Sequence, residues 1–264
     1  MRAVILYMPT LNEEQLDQFI KDGFVKIENA IPQHICEEIR EILWKDMDVN
    51  RNDPATWTKP VIRLMFYNQE PFNKAVNMPV LTSAYDQLAG KDKWVPRDSI
   101  GTFPIRFPVD KDPGDTGWHV DSSFPGNDLK DFTKWKINVF SKGRALLMLF
   151  IFSDIGEKDA PTIIKKGSHS DVAKMLGPFG EEGLAFIDLG SRLDAAMYRK
   201  DALATGKAGT VYLCHPFIVH AAQPHRGISP RFMAQPALEL KEPFSFSGNI
   251  EDAAPVEKAI RLAI

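Results

Sequence analysis

The hydrophobic positions of this chain change their spacing once, near residue 99. Before that point they recur three and four residues apart. Leu16, Phe19 and Ile20 share one face of a short segment, the spacing of an amphipathic helix. Thr10 and Glu13 stand ahead of it at the separation of a capping box, and Gly23 follows as its stop. Residues 24–27 read as a strand. Pro32 opens a second helix with Ile35, Ile39 and Leu43 on one face. A third follows Pro79, with Leu81, Tyr85 and Leu88 inward and Gly90 as its end. After Ser99 the pattern becomes short alternating or wholly apolar runs separated by Gly, Pro and Asp. They cover 100–107, 118–121, 136–140, 145–152, 162–164, 210–214, 217–221 and 231–241. Many short strands with turn residues between them predict a sandwich or jelly roll rather than a parallel α/β sheet. The stretch 171–200 predicts one or two short helices, and Pro255 opens a terminal helix carrying Val256, Ile260 and Ile264.

These elements predict one domain, mainly β with flanking helices. Its parts are a helix-rich segment 1–98, a core of about 99–241 and a C-terminal extension 242–264, with no linker between them. Composition narrows the function classes. The 264 residues carry a formal net charge of −3, with 44 % hydrophobic and 25 % charged residues, so no basic field exists to attract nucleic acid or anionic membrane. Five Trp and seventeen Phe are enough to line a pocket for a small molecule. Cys36 and Cys214 are too few for a disulfide framework and point to a reducing, cytoplasmic setting. The apolar run ended by Pro9 is too short for the hydrophobic part of a secretion signal. The longest apolar run, 145–152, is too short to span a bilayer and predicts a central strand. Oligomeric state has no signature in the sequence.

The candidate chemistry lies at Gly117-Trp118-His119-Val120-Asp121. In a strand, alternate side chains share a face, so His119 and Asp121 can reach one ion. An imidazole and a carboxylate are two thirds of the facial triad of non-haem Fe(II) oxygenases. Alone, such a pair is more often a loop His beside a turn Asp. The best third ligand is His220, set in an apolar alternating run where an unpartnered ring is costly to bury; the bland reading is a core His bonded to a carbonyl. Eleven residues on, Arg231 offers a fork for bidentate recognition of a carboxylate. Arg106, just upstream of the metal motif, fits either an anion contact or a rim salt bridge. Trp118 points away from His119 and reads as packing. Phe124 and Trp135 bracket the next loop, with core packing the default and a place at the substrate mouth the alternative. His169 reads as structural, His215 as a non-ligand, and His225, Lys165 and Lys166 as exposed.

On these residues the chain resembles the phytanoyl-CoA dioxygenase family. LNEEQLDQFIKDGFVKIENAIPQHICEEIREI is similar to its helix–strand–helix opening, WHVD to its His-x-Asp motif, and GTVYLCHPFIVHAAQPHRGISPR to its distal His and Arg block. DAPTIIKKGSHS departs from the usual Asn-Gly-Pro and Pro-Gly-Ser-His, at Asp159-Ala160 and at Lys165-Lys166. The resemblance implies a double-stranded β-helix of the cupin-like, jelly-roll kind. It implies Fe(II) on His119, Asp121 and His220, with 2-oxoglutarate held through Arg231 and O2 as the oxidant. The implied reaction is hydroxylation, or another oxidation, of an unactivated C–H bond in a small molecule, with release of succinate and CO2. Two other readings of the same residues are a cupin-like metal isomerase or hydrolase, and a non-catalytic binding protein on the same fold.

Overall fold

A computed structural model describes residues 10–126 and 128–264; the apolar run ended by Pro9 lies outside the described residues. The first helix, α1 (Glu13–Asp22), starts two residues later than the Thr10 box predicts. The Asn12 side chain accepts from Gln15 N at 2.9 Å, and Gln15 Oε1 accepts from Asn12 N at 3.0 Å. The reciprocal box is therefore Asn12 with Gln15. Gly23 closes the helix at φ +84°, the left-handed geometry that glycine adopts without cost. β1 (Phe24–Ile27) and α2 (Gln33–Lys45) follow as the spacing predicts. Then come β2 (Val61–Leu64), α3 (Glu70–Val76), α4 (Pro79–Ala89) and β3 (Phe103–Arg106). Short strands make up most of the remainder: β4 (Lys136–Ile137), β5 (Leu146–Ile151) and β6 (Ile163–Lys165). After α5 (Ser168–Leu176) come β7 (Leu184–Ala185), α6 (Phe186–Gly190), α7 (Asp194–Met197) and β8 (Asp201–Leu203). β9 (Val211–Cys214), β10 (His220–Ala221), β11 (Met233–Ala234), β12 (Ala237–Leu238) and α8 (Pro255–Arg261) complete the chain.

All pairings are antiparallel. The largest sheet runs β1-β9-β5-β11, with β12 also on β5. The ribbon β2-β3 joins it where residue 106 bridges residue 231. A smaller sheet runs β10-β6-β8, and β4-β7 forms a further pair. β5 is buried on both faces, and its alternation divides the interior. Leu147, Leu149 and Ile151 pack with Ile164 and Ala204 of the smaller sheet's side. Leu146, Met148 and Phe150 pack with Phe19, Ile39, Leu88 and Ile260 from the helices. The large sheet is thus a middle layer between helices and a second sheet. The helix-side cluster reaches from Leu11 to Ile260.

The chain is a mixed α and β structure rather than mainly β, with more residues in helices than in paired strands. Several expected strands are shorter than their apolar runs. Residues 118–121 make a single bridge, residue 119 to residue 220, and the 217–221 run is paired only at His220–Ala221. β2, from the largely apolar run 61–67, and α3 are additions within the helix-rich part. Cys36 and Cys214 are free and buried; burial pushes the Cys36 thiol up to about 12 and Cys214 up further. Among the described residues, no helix is long and apolar enough to cross a membrane.

Candidate metal centre

The bridge between residues 119 and 220 puts the two imidazoles on adjacent chains. Each backbone N–H donates to the other's carbonyl at 3.0 Å, and the ring centroids lie 4.3 Å apart. Asp121 comes to the same place two residues on. His119 Nε2 is 3.5 Å from Asp121 Oδ1, and His220 Nε2 is 3.8 Å from that same oxygen. One ligand atom from each of the three lies within 4.8 Å of the others.

The tautomers are set from behind. His119 Nδ1 donates to Gly117 O at 2.9 Å, and His220 Nδ1 donates to Ile218 O at 3.2 Å. A carbonyl can only accept, so in each neutral ring it is Nε2 that carries the lone pair toward Asp121. Asp121 is held from behind as well. Its Oδ2 accepts from Arg144 Nη1 at 2.8 Å, and Arg144 Nη2 donates to Ser122 O at 2.8 Å. Oδ1 is left for the imidazole side. Burial alone would raise the Asp121 carboxyl; the charge of Arg144 and the two imidazoles outweigh it and hold it well below the usual carboxylate range. His220, buried beside His119, is pushed down to about 4. Burial also pushes His119 down, but the Asp121 carboxylate outweighs it. Two imidazole nitrogens and one carboxylate oxygen on one side, backed by fixed hydrogen bonds, suit a divalent transition metal with open positions.

A second cluster sits at the seam between β3 and β11. Arg106 and Arg231 are each 1 % exposed. They exchange both backbone hydrogen bonds, at 3.2 and 2.8 Å, so their side chains start directly opposite one another. Arg106 Nη2 donates to both oxygens of Asp115 at 2.7 Å, and Arg63 pairs with the same carboxylate. Arg231 donates to Ala160 O, and to Pro104 O at 2.9 Å. Burial, then the charge of Arg106, push Arg231 down to about 9. The Nε atoms of both arginines are buried without a hydrogen-bond partner among the described residues. Asp115 therefore pairs with two guanidiniums and reaches the third only by its charge, and two buried N–H donors remain open. That is an environment for an anion. Asp115 also acts on His119 by its charge, so it lies between the two clusters.

Some expectations are corrected. Arg106 is a buried group and not a rim one. His225 is 8 % exposed, with Gly227 N donating to its Nδ1 and the charges of Arg231 and Arg106 acting on it. Lys165 is 8 % exposed, ion-paired to Asp201 at 2.8 Å and 4.5 Å from the Trp118 ring, so Trp118 does pack. Phe124 and Trp135 line a cavity of about 720 Å³ that also holds Asp121 and Arg144. Sequence reasoning missed Arg144 and Asp115. His169 bonds Ile20 O and His215 bonds Val256 O, each away from the centre.

Neither a family model nor a curated protein matches the chain. Solved structures do. The non-heme alpha ketoglutarate dependent carbocyclase SnoK from nogalamycin biosynthesis superposes with a TM-score of 0.60 at 18 % identity, over 94 % of this chain and 92 % of its own. The epimerase SnoN, solved with Fe3+, alpha ketoglutarate and nogalamycin RO, gives 0.56 at 15 % identity, over 86 % and 82 %. HygX from Streptomyces hygroscopicus, with nickel, 2-oxoglutarate and hygromycin B bound, gives 0.52 at 16 % identity, over 89 % and 88 %. At these identities the likeness is one of fold, and it extends over nearly the whole chain.

Proposed function

We propose that this chain is an Fe(II)- and 2-oxoglutarate-dependent oxygenase of a small organic molecule, built as one jelly-roll domain of the phytanoyl-CoA dioxygenase type. The observation that carries the reading is the pair of clusters flanking Asp115. One offers His119, Asp121 and His220 as a facial metal set. The other offers Arg231 and Arg106 as buried cations with open N–H donors. A metal hydrolase or isomerase has use for the first and none for the second. SnoN and HygX, which carry iron or nickel together with 2-oxoglutarate, support the same pairing.

Fe(II), 2-oxoglutarate and O2 together supply the oxidation of an unactivated C–H bond, with succinate and CO2 released. The chain's own residues do the rest. His119 and His220 present fixed lone pairs, because their Nδ1 protons are committed to Gly117 O and Ile218 O. Arg144 keeps Asp121 ionised and turned, occupying Oδ2. Arg231, with Arg106 beside it, takes the distal carboxylate of the co-substrate. Phe124, Phe132 and Trp135 line the cavity next to Asp121 and shape the space where substrate lies.

The test needs no substrate. Protein loaded with Fe(II) under argon and titrated with 2-oxoglutarate should develop a saturable visible charge-transfer band. Bound iron without a band would instead favour the metal isomerase or hydrolase.

A further inference from the structure

The cavity beside Asp121 has two kinds of lining. Phe66, Phe124, Phe132 and Trp135 contribute aromatic rings. Phe66 is 62 % exposed and Phe132 50 % exposed, so both rings offer apolar surface to a ligand at the cavity mouth. The rings continue inward as a chain. Trp135 and Phe132 centroids lie 5.7 Å apart, Phe132 and Phe186 5.6 Å, and Phe186 and His119 6.0 Å. An aromatic path thus leads from the protein surface to a candidate metal ligand.

The other lining is cationic. Arg97, Lys142 and Arg144 all reach the cavity, against Asp121 and Glu239. Asp121 is already committed to Arg144 and the imidazoles. Arg97 is 3.9 Å from Glu239 and donates to Ser99 O and Ala237 O. Lys142 makes no ion pair among the described residues; its ammonium stands 5.0 Å from the Phe124 ring centroid. A free ammonium beside an aromatic face, in a cavity that reaches the metal set, selects for a ligand with both a flat apolar body and a negative charge. The volume of about 720 Å³ suits a molecule of two or more fused rings.

We infer that the substrate of this site is an aryl-bearing organic anion. Its ring system stacks along Phe132 and Trp135, and its oxyanion pairs with Lys142. This rests on the oxygenase reading above, and the experiment separates the two. Protein with Fe(II) and 2-oxoglutarate under argon is titrated by calorimetry with 2-naphthoate, with neutral 2-naphthamide and with 2-naphthylmethylammonium, while the charge-transfer band is monitored. Naphthoate should bind at least about tenfold tighter than either analogue, one decade being the scale of a single favourable charge contact. The band should persist throughout. Lys142→Gln should erase the preference for naphthoate over naphthamide, and Phe132→Ala should weaken both about equally. Three results would overturn the inference: equal or tighter binding of the ammonium probe, no binding of any probe, or loss of the band as naphthoate enters, which would place it on the metal. Absence of the band from the outset, with the naphthoate preference intact, would remove the oxygenase reading and leave the ligand class standing.

Discussion

Arg144 does for Asp121 what two backbone carbonyls do for the histidines. Each partner occupies the back of a candidate ligand and leaves one atom facing the centre. Such partners typically contribute 10–100-fold to metal affinity. Arg144→Gln should therefore weaken Co(II) binding by about that factor, read from the visible absorption of the bound ion, with the fold retained. Unchanged affinity would mean that Asp121 needs no such support. Asp121→Ala should lose metal binding altogether in the same titration. Arg231→Ala should weaken 2-oxoglutarate by about 2–5 kcal/mol and leave iron affinity unchanged; equal losses of both would remove its clamp role. Strand alternation made His119 and Asp121 legible as a pair, and an apolar setting marked His220. Arg144 gave no comparable signal. It stands in a turn just before the apolar run of β5, where a charged residue is unremarkable in sequence. Asp115 lies in a loop of Gly, Pro and Asp, and only the fold brings it to Arg106. The burial of Arg106 was equally hidden, since a strand Arg normally keeps its head in water.

At the scale of elements, the segment leading to His220 is braced by a junction of α1, α5, β9 and α8. His169, from α5, bonds Ile20 O of α1 at 3.0 Å, and His215, following β9, bonds Val256 O of α8 at 3.2 Å. The two rings stand 4.8 Å apart. Gly23 fits against them with φ +84°; a Cβ there would sit 2.5 Å from both His169 Nδ1 and Ile218 Cδ1. Gly23→Ala should cost more than about 1 kcal/mol, from the left-handed backbone and the clash together. Because Ile218 O orients His220, it should also weaken metal binding; urea unfolding and the Co(II) titration check each part. The same junction responds to acid. Burial pushes His169 down from 6.5 to about 4, against the opposing bond to Ile20 and between the charges of Arg199, Asp171 and Asp22. Burial pushes His215 well down too. Below pH 6.5 the unfolded chain takes up protons that the folded one refuses. The stability is full above that pH and falls as pH drops toward 4, by on the order of 3 kcal/mol through His169. Urea midpoints measured across that window should fall less steeply in His169→Gln, and identical slopes would sink the assignment. α1 and α8 were legible because Gly23 and Pro255 punctuate them; α5 was not, because it starts at Ser168, inside the Gly-Ser-His segment that reads as a turn. The ends of the short strands were hidden too, because their apolar runs continue past the last paired residue into buried turns.

Across the whole molecule, the two arginines sit where the fold is joined. β2 and β3 pair with each other, and residues 102–106 meet the large sheet through a short seam. There Arg106 and Arg231 exchange hydrogen bonds, and Gln235 N donates to Thr102 O at 3.0 Å. Placing two like charges opposite one another across a seam weakens it, and Asp115, shared with Arg63, offsets this only in part. A dicarboxylate bound between the guanidiniums would convert the repulsion into a bridge. We therefore predict that 2-oxoglutarate stabilises the protein by about 2.7 kcal/mol at a hundred times its dissociation constant, and that the gain is concentrated at the seam. Amide exchange should slow at Val61–Leu64, Phe103–Arg106 and Met233–Ala234, and Arg231→Ala should abolish that protection while metal still binds. Protection confined to residues 119–121 and 220–221 would place the co-substrate on the metal alone, and the paired arginines would then need another anion to explain their burial.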